Sequence, residues 1–197
     1  MPDSAATVQP NPFLTIWWHP RETMARMAAA DSYPHAYGLV AICGLVAGIV
    51  EDGSDPSQWI RGAVKGVIFL ALLSPLARFI GRKLGGQAEV PAVRAALAWG
   101  SVPYLWMLPL SLFGELVPST LDDAKGFELV LWVLLVLVML GVHAWCVVTT
   151  TRCLAEVQRF SIWRALGNYL LTLLVACLAA FLFLAGLTLI SRMVFGH

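Results

Sequence analysis

"FELVLWVLLVLVMLGVHAWCVVTT", residues 127–150, carries a charge only at Glu128 and then runs to Thr150 without another. A hydrocarbon slab about 30 Å thick takes roughly 20 helical residues, and this stretch exceeds that length. It has no polar stripe with which to face water, so it reads as a membrane span. Working outward, "WRALGNYLLTLLVACLAAFLFLAGLTLIS" at 163–191 reads the same way. The composition agrees: of 197 residues 59% are hydrophobic and 13% charged, against about a quarter charged in soluble domains.

Toward the N-terminus lie three less regular apolar segments, 34–50, 62–80 and 92–117. The first, "PHAYGLVAICGLVAGIV", reaches a bilayer's thickness only if Pro34–Tyr37 join the helix. The second and third are interrupted by Pro75, Pro103 and Pro109, which predict kinks because proline lacks an N–H and clashes with the preceding turn. Before them, "FLTIWWHPRETMARM" at 13–27 is too polar to cross and too apolar for a solvated tail. Pro20 suits a first helical position and Glu22 the positive end of a helix dipole. Trp17 and Trp18 have the amphipathic rings that favour the headgroup level. With Pro20 and Arg21 they predict an interfacial anchor, while Met24 and Met27 face the bilayer or the bundle. Ser32 is placed to cap the next helix.

These segments predict an all-α polytopic membrane protein: five transmembrane helices over 34–191, preceded by an amphipathic interfacial helix at 13–31. A flexible cytoplasmic tail at 1–12 and a short external tail at 192–197 flank them. A six-span reading needs the Trp17 region to cross, but "FLTIWW" is too short; a four-span reading leaves the long uncharged run of the first segment on the surface. With five spans and the N-terminus inside, nine of the thirteen lysines and arginines fall on the inner side and four on the outer. That asymmetry predicts a cytoplasmic N-terminus. The first 20 residues lack the pattern of a secretory signal, so the first span is expected to direct insertion.

Two motifs resemble a known family. "NPFLTIWWHPRETMARM" at 11–27 is similar to the N-P-x-x-x-[IV]-[WF] phrase running into P-R-E-T in bacterial members of the Yip domain family, relatives of Ypt/Rab-interacting membrane proteins. "GRKLGGQAEVPAVRAALAWGSVPYLWMLP" at 81–109 matches the family's glycine pair, polar linker, arginine and proline-punctuated third span. The resemblance implies five packed spans, a cytoplasmic N-terminus and a bacterial inner membrane location. Eukaryotic members carry a D-L-[YW]-G-P phrase that is absent here, so Rab-type GTPase binding is not carried over.

Candidate intramembrane polar contacts are Lys65, Glu115, His143, Asn168 and Tyr169, because polar groups are costly in lipid and face the bundle interior. Lys65 and Glu115 are expected to snorkel or pair at the outer ends of their helices. His143 is expected to hydrogen-bond Asn168, Tyr169 or Thr149, and Asn168 to join two helices. His143 and Cys146 share a helix face; a soft metal site with Cys153 or Cys177 is weighed against that hydrogen bond and set aside, so neither metal nor cofactor is expected. Gly44 and Gly48 form a G-x-x-x-G pair that permits close helix approach, within the bundle or between subunits. Arg78, Arg82 and Lys83 are spaced to meet anionic headgroups. His19 and Glu22, three apart, are better placed to cap the interface than to act as acid and base.

The function expected is that of an integral membrane protein organising or partnering with other membrane components, with membrane lipids and a second copy or other membrane proteins as partners. The alternative is a small transporter or lipid-handling protein with a cavity at the proline-kinked helices. No G-x-S-x-G, H-E-x-x-H or C-x-x-C phrase appears, which argues against an enzyme. Net charge is +1 and the cations are scattered, which argues against nucleic acid.

Overall fold

The computed structural model describes residues 11–30, 33, 35–114 and 126–195, and among these every regular element is helical. Ser32 and Glu115 lie outside the described residues. The Asn11 carboxamide oxygen accepts the N–H of Phe13 (2.9 Å) and starts α1, Pro12–Thr15. A proline ring bars the preceding residue from helical geometry, and His19 sits at φ −127° and ψ 58°. The helix stops there and restarts as α2, Pro20–Ala29. The single helix expected over 13–31 is therefore two, with a bend at the tryptophans.

The buried face of this entry segment is the informative part. Ile16 and Met24 have no exposed surface, and Thr23 and Met27 almost none. Thr23 Oγ1 bridges the His19 carbonyl (2.9 Å) and Thr15 Oγ1 (2.8 Å), tying the two helices together across the bend. Glu22 and Arg26 stay exposed. Both methionines thus face the protein.

Helix α3, Ala36–Glu51, and helix α4, Pro56–Lys83, form an antiparallel hairpin. Asp55 caps α4 by accepting the Ser57 N–H (2.8 Å) and hydroxyl (2.7 Å). The hairpin is built on glycine. A Cβ added at Gly44 would fall on the carbonyl oxygen of Gly62, one at Gly48 on that of Gln58, and one at Gly62 on that of Gly44. Gly66 faces the Val40 carbonyl 2.9 Å from where its Cβ would stand. The G-x-x-x-G pair therefore works within the bundle, against a second one of the same spacing, Gly62/Gly66. Toward the loop end Lys65 reaches Glu51 (3.5 Å).

The third apolar segment breaks where its prolines stand. Helix α5, Val90–Gly100, gives way to a 3-10 turn at Val102–Trp106 and then α6, Met107–Gly114. Pro103 cannot donate to the Trp99 carbonyl, and the neighbouring N–H groups shorten their reach: Ser101 bonds Ala98 (3.2 Å) and Tyr104 bonds Ser101 (2.9 Å). Pro109 falls in the first turn of α6, where a missing N–H costs little. Pro75 lies inside α4, whose helix runs through it unbroken. Helix α5 is the centre of the molecule: Val93, Ala95, Ala96 and Ala98 are fully enclosed and Trp99 nearly so.

The last two elements are α7, Phe127–Gln158, and α8, Ile162–Phe195, the latter running beyond the expected end at 191. Between them Arg159 adopts the left-handed conformation (φ 56°) and Phe160 N–H reaches back to the Ala155 carbonyl (2.8 Å), a helix-ending turn more usual with glycine. Helix α7 buries Val142 and then a run of side chains from Thr149 to Gln158, and α8 buries Ala165, Asn168 and Thr172 near the turn. Beyond Thr172 no described residue of α8 is buried.

By length and composition four of the described helices can cross a membrane: Pro56–Lys83, Val90–Gly114, Phe127–Gln158 and Ile162–Met193. Helix α3 is as apolar but has 16 residues, about 24 Å of rise. Ala36 and Tyr37 do join it, and His35 before them is left-handed (φ 61°).

Candidate functional site

The five long apolar elements converge on a cavity of about 390 Å³. Val40, Cys43 and Gly44 of α3, Gly66 and Leu70 of α4, and Leu97 of α5 line one side; His143, Cys146 and Thr150 of α7 and Tyr169 of α8 line the other, with Tyr104 of the 3-10 turn between them. None of Pro75, Pro103 or Pro109 lines it. Proline acts here indirectly, by unwinding the third apolar segment so that Ser101 and Tyr104 turn toward the cavity.

The polar groups around this space are mostly engaged locally. Ser101 Oγ donates to the Ala98 carbonyl (2.7 Å) and lies 3.7 Å from Cys43 Sγ. His143 Nδ1 donates to the Met139 carbonyl (2.8 Å), one turn back in its own helix. Its ring stands edge-on to Tyr104, centroids 5.8 Å apart. The bond expected from His143 to Asn168, Tyr169 or Thr149 is not made. Thr149 is six residues along the helix, on another face, and Asn168 is fully buried near the start of α8. Cys146 borders the cavity, whereas Cys153 is buried outside it and Cys177 is exposed. Among the described residues no three histidine, cysteine or acidic side chains gather as metal ligands would.

Asn168 belongs to a second polar cluster, where α4, α7 and α8 meet. It is fully buried, with Thr172 Oγ1 donating to its carbonyl (2.7 Å). Gln158, also fully buried, lies against Gly81: a Cβ there would fall on Gln158 Nε2 and come within 3.0 Å of Asn168 Nδ2. Neither Gln158 amide atom nor Asn168 Nδ2 has a hydrogen-bond partner. The interhelical bond expected of Asn168 is thus replaced by close packing of two amides on a glycine. Gln158 was missed in the sequence because it reads as the solvated end of a helix.

The remaining candidates lie at the two ends of the bundle. Trp17 packs edge-on to Trp145 (5.6 Å) and Arg21 Nε pairs with Glu156 (3.2 Å), whereas Trp18 is 75% exposed. His19 Nδ1 is 3.9 Å from the Glu22 carboxylate, both side chains exposed. Arg78 Nη2 donates to Glu89 (3.0 Å), joining the end of α4 to the start of α5, so it is occupied within the protein. Arg82 is exposed, and Lys83 Nζ lies 5.7 Å from the Phe79 ring centre. Lys65 pairs with Glu51 at the opposite end.

A bundle of long lipid-compatible helices, entered through a proline-broken tryptophan segment, is the context for the comparison with known families. The family model described as the Yip1 domain matches residues 14–184. The chain belongs to the Yip1 domain family. No curated protein and no solved structure matches it. Membership and the four long apolar helices together make this Yip1-family chain a multi-pass integral membrane protein. The matched region takes in the entry segment, the glycine hairpin, the broken third apolar segment, α7 and most of α8.

Proposed function

We propose that this Yip1-family protein is a non-enzymatic organiser that associates laterally with another membrane protein or a second copy through the outer half of α8. The carrying observation is that Phe181, Leu182, Phe183 and Leu184, four successive residues that point around the whole helix, are each 60–67% exposed. A helix free on every side has faces to offer to a partner helix, and packing against one satisfies it as well as lipid does. We place it in a bacterial inner membrane with five spans and a cytoplasmic N-terminus. In support, Arg21 meets Glu156 and Arg78 meets Glu89 at one end of the bundle, the end to which the nine-cation side of the charge asymmetry belongs. A membrane locally thinned accommodates the short α3.

The transport alternative called for a cavity near the proline-kinked helices, and the one present is walled in part by α4 and the 3-10 turn, though by none of the prolines themselves. One observation favours a lipid-handling reading in its place: the cavity walls are largely aliphatic and aromatic, of a volume that takes part of an acyl chain. Native mass spectrometry of the full chain in a mild detergent distinguishes these readings. The proposal expects a protein complex of fixed stoichiometry that dissociates when Phe181 and Phe183 are both changed to alanine. A monomer that retains one solute, with α8 substitutions silent, would overturn it.

A further inference from the structure

Two clefts meet at the exposed ring of Trp18. One, of about 480 Å³, is walled by Trp17, Trp18, Leu105, Trp106 and Trp145. The other, of about 200 Å³, is walled by Trp18, His19, Pro20, Arg21, Glu22, Arg152 and Ile162. We propose that the pair forms one binding site for a single anionic glycerophospholipid of the leaflet that the N-terminal segment meets.

Three observations carry this. The first is polarity: one cleft is aromatic and aliphatic throughout, while the other is walled by two arginines and a histidine with one carboxylate, that of Glu22. Arg21 gives only its Nε to Glu156, and Arg152 is exposed with no ion pair among the described residues. Its planar fork suits a phosphodiester. The second is direction. Trp145 and Arg152 are seven residues apart on α7 and share a face, about 10 Å from one another along the axis. Trp145 lies in the last turns of the uncharged run and Arg152 is the first charge beyond it. The aromatic cleft therefore lies on the hydrocarbon side and the basic cleft on the aqueous side, which is how a phospholipid stands in a leaflet. The third is exposure. Trp18 and Trp106 are 75% and 52% exposed, open to lipid, while the Trp17–Trp145 contact (5.6 Å) holds the cleft floor in place.

The site differs from the cationic stretch at Arg78, Arg82 and Lys83, which lines neither cleft. The test is native mass spectrometry of the full chain released from micelles doped equally with phosphatidylglycerol and phosphatidylcholine. One phosphatidylglycerol is expected to be retained in preference to phosphatidylcholine. Arg152→Gln should cut that retention about fivefold, the equivalent of about 1 kcal/mol for one arginine near an anionic surface. Arg82→Gln should leave it unchanged. Equal retention of the two lipids by the unaltered chain, or equal losses in the two variants, would overturn the proposal. If Arg152→Gln does not yield folded protein, the unaltered chain still decides. Four of its eight tryptophans wall the cleft, so phosphatidylglycerol brominated on its acyl chain should quench fluorescence more deeply than brominated phosphatidylcholine. Equal quenching contradicts the site.

Discussion

Between α3 and α4 four glycines let two backbones touch, whereas in the outer half of α8 the side chains from Phe181 to Leu184 are each at least 60% exposed. Both regions are strongly apolar, so hydropathy does not distinguish them. In a membrane, burying an apolar side chain against another helix gains little over burying it in lipid. Small residues and polar contacts decide which helices adhere. The glycine hairpin and the alanine-rich α5 are committed to the protein; the far ends of α7 and α8 are committed to whatever surrounds it.

Glycine substitutions break or sharpen that contrast most strongly. Gly62→Ala should destabilise by about 1–3 kcal/mol, since its Cβ meets backbone that cannot rotate away; equilibrium unfolding in mixed micelles measures it. Gly186→Ala, with nothing within 4 Å of its added Cβ, should by contrast stabilise by about 0.5–1 kcal/mol through helix propensity. If the two variants behave alike, the hairpin packing is wrong. Next in size is Gln158→Met. Replacing a buried amide that lacks partners with an apolar group of similar shape should be neutral or raise stability by about 1 kcal/mol. A loss in the same unfolding assay would show the amide to be satisfied after all.

The smallest effect concerns the loop end of the hairpin. The Ser57 hydroxyl, then the Ser57 N–H, and the Arg61 guanidinium hold the Asp55 carboxyl below its ordinary range. Its contribution is complete above the unfolded value of about 3.9 and is lost as pH falls through the lower folded value. Stability measured downward from pH 5 should therefore decline less in Asp55→Asn than in the unaltered chain, and identical profiles would remove the cap from the account.

The long elements were legible because length and absence of charge suffice to define a span. The runs at 127–150 and 163–191 stand within α7 and α8, and the helix predicted over 62–80 lies within α4. Gly44 and Gly48 were legible as a close-packing pair, but their partners were not chosen, although "GAVKG" at 62–66 carries the same spacing. Pairing is a tertiary choice that periodicity along one helix does not encode. For the same reason the entry segment was read as an anchor on lipid. Nothing local to Ile16 and Met24 shows that α5 and α7 will cover them. His143 was expected to reach across to another helix, yet a carbonyl one turn back was nearer. The cavity draws residues from six elements; Gly44, His143, Cys146 and Tyr169 were legible singly as candidates, but not that they share one space.

The claim on which the rest depends is that the short α3 crosses, so that the chain traverses the membrane five times. Fusing a compartment-sensitive reporter to the N-terminus in one version of the full chain and to the C-terminus in another tests it directly. Five crossings predict reporters on opposite sides, with the N-terminal one cytoplasmic. Both reporters on the same side would leave α3 within one leaflet and contradict the account.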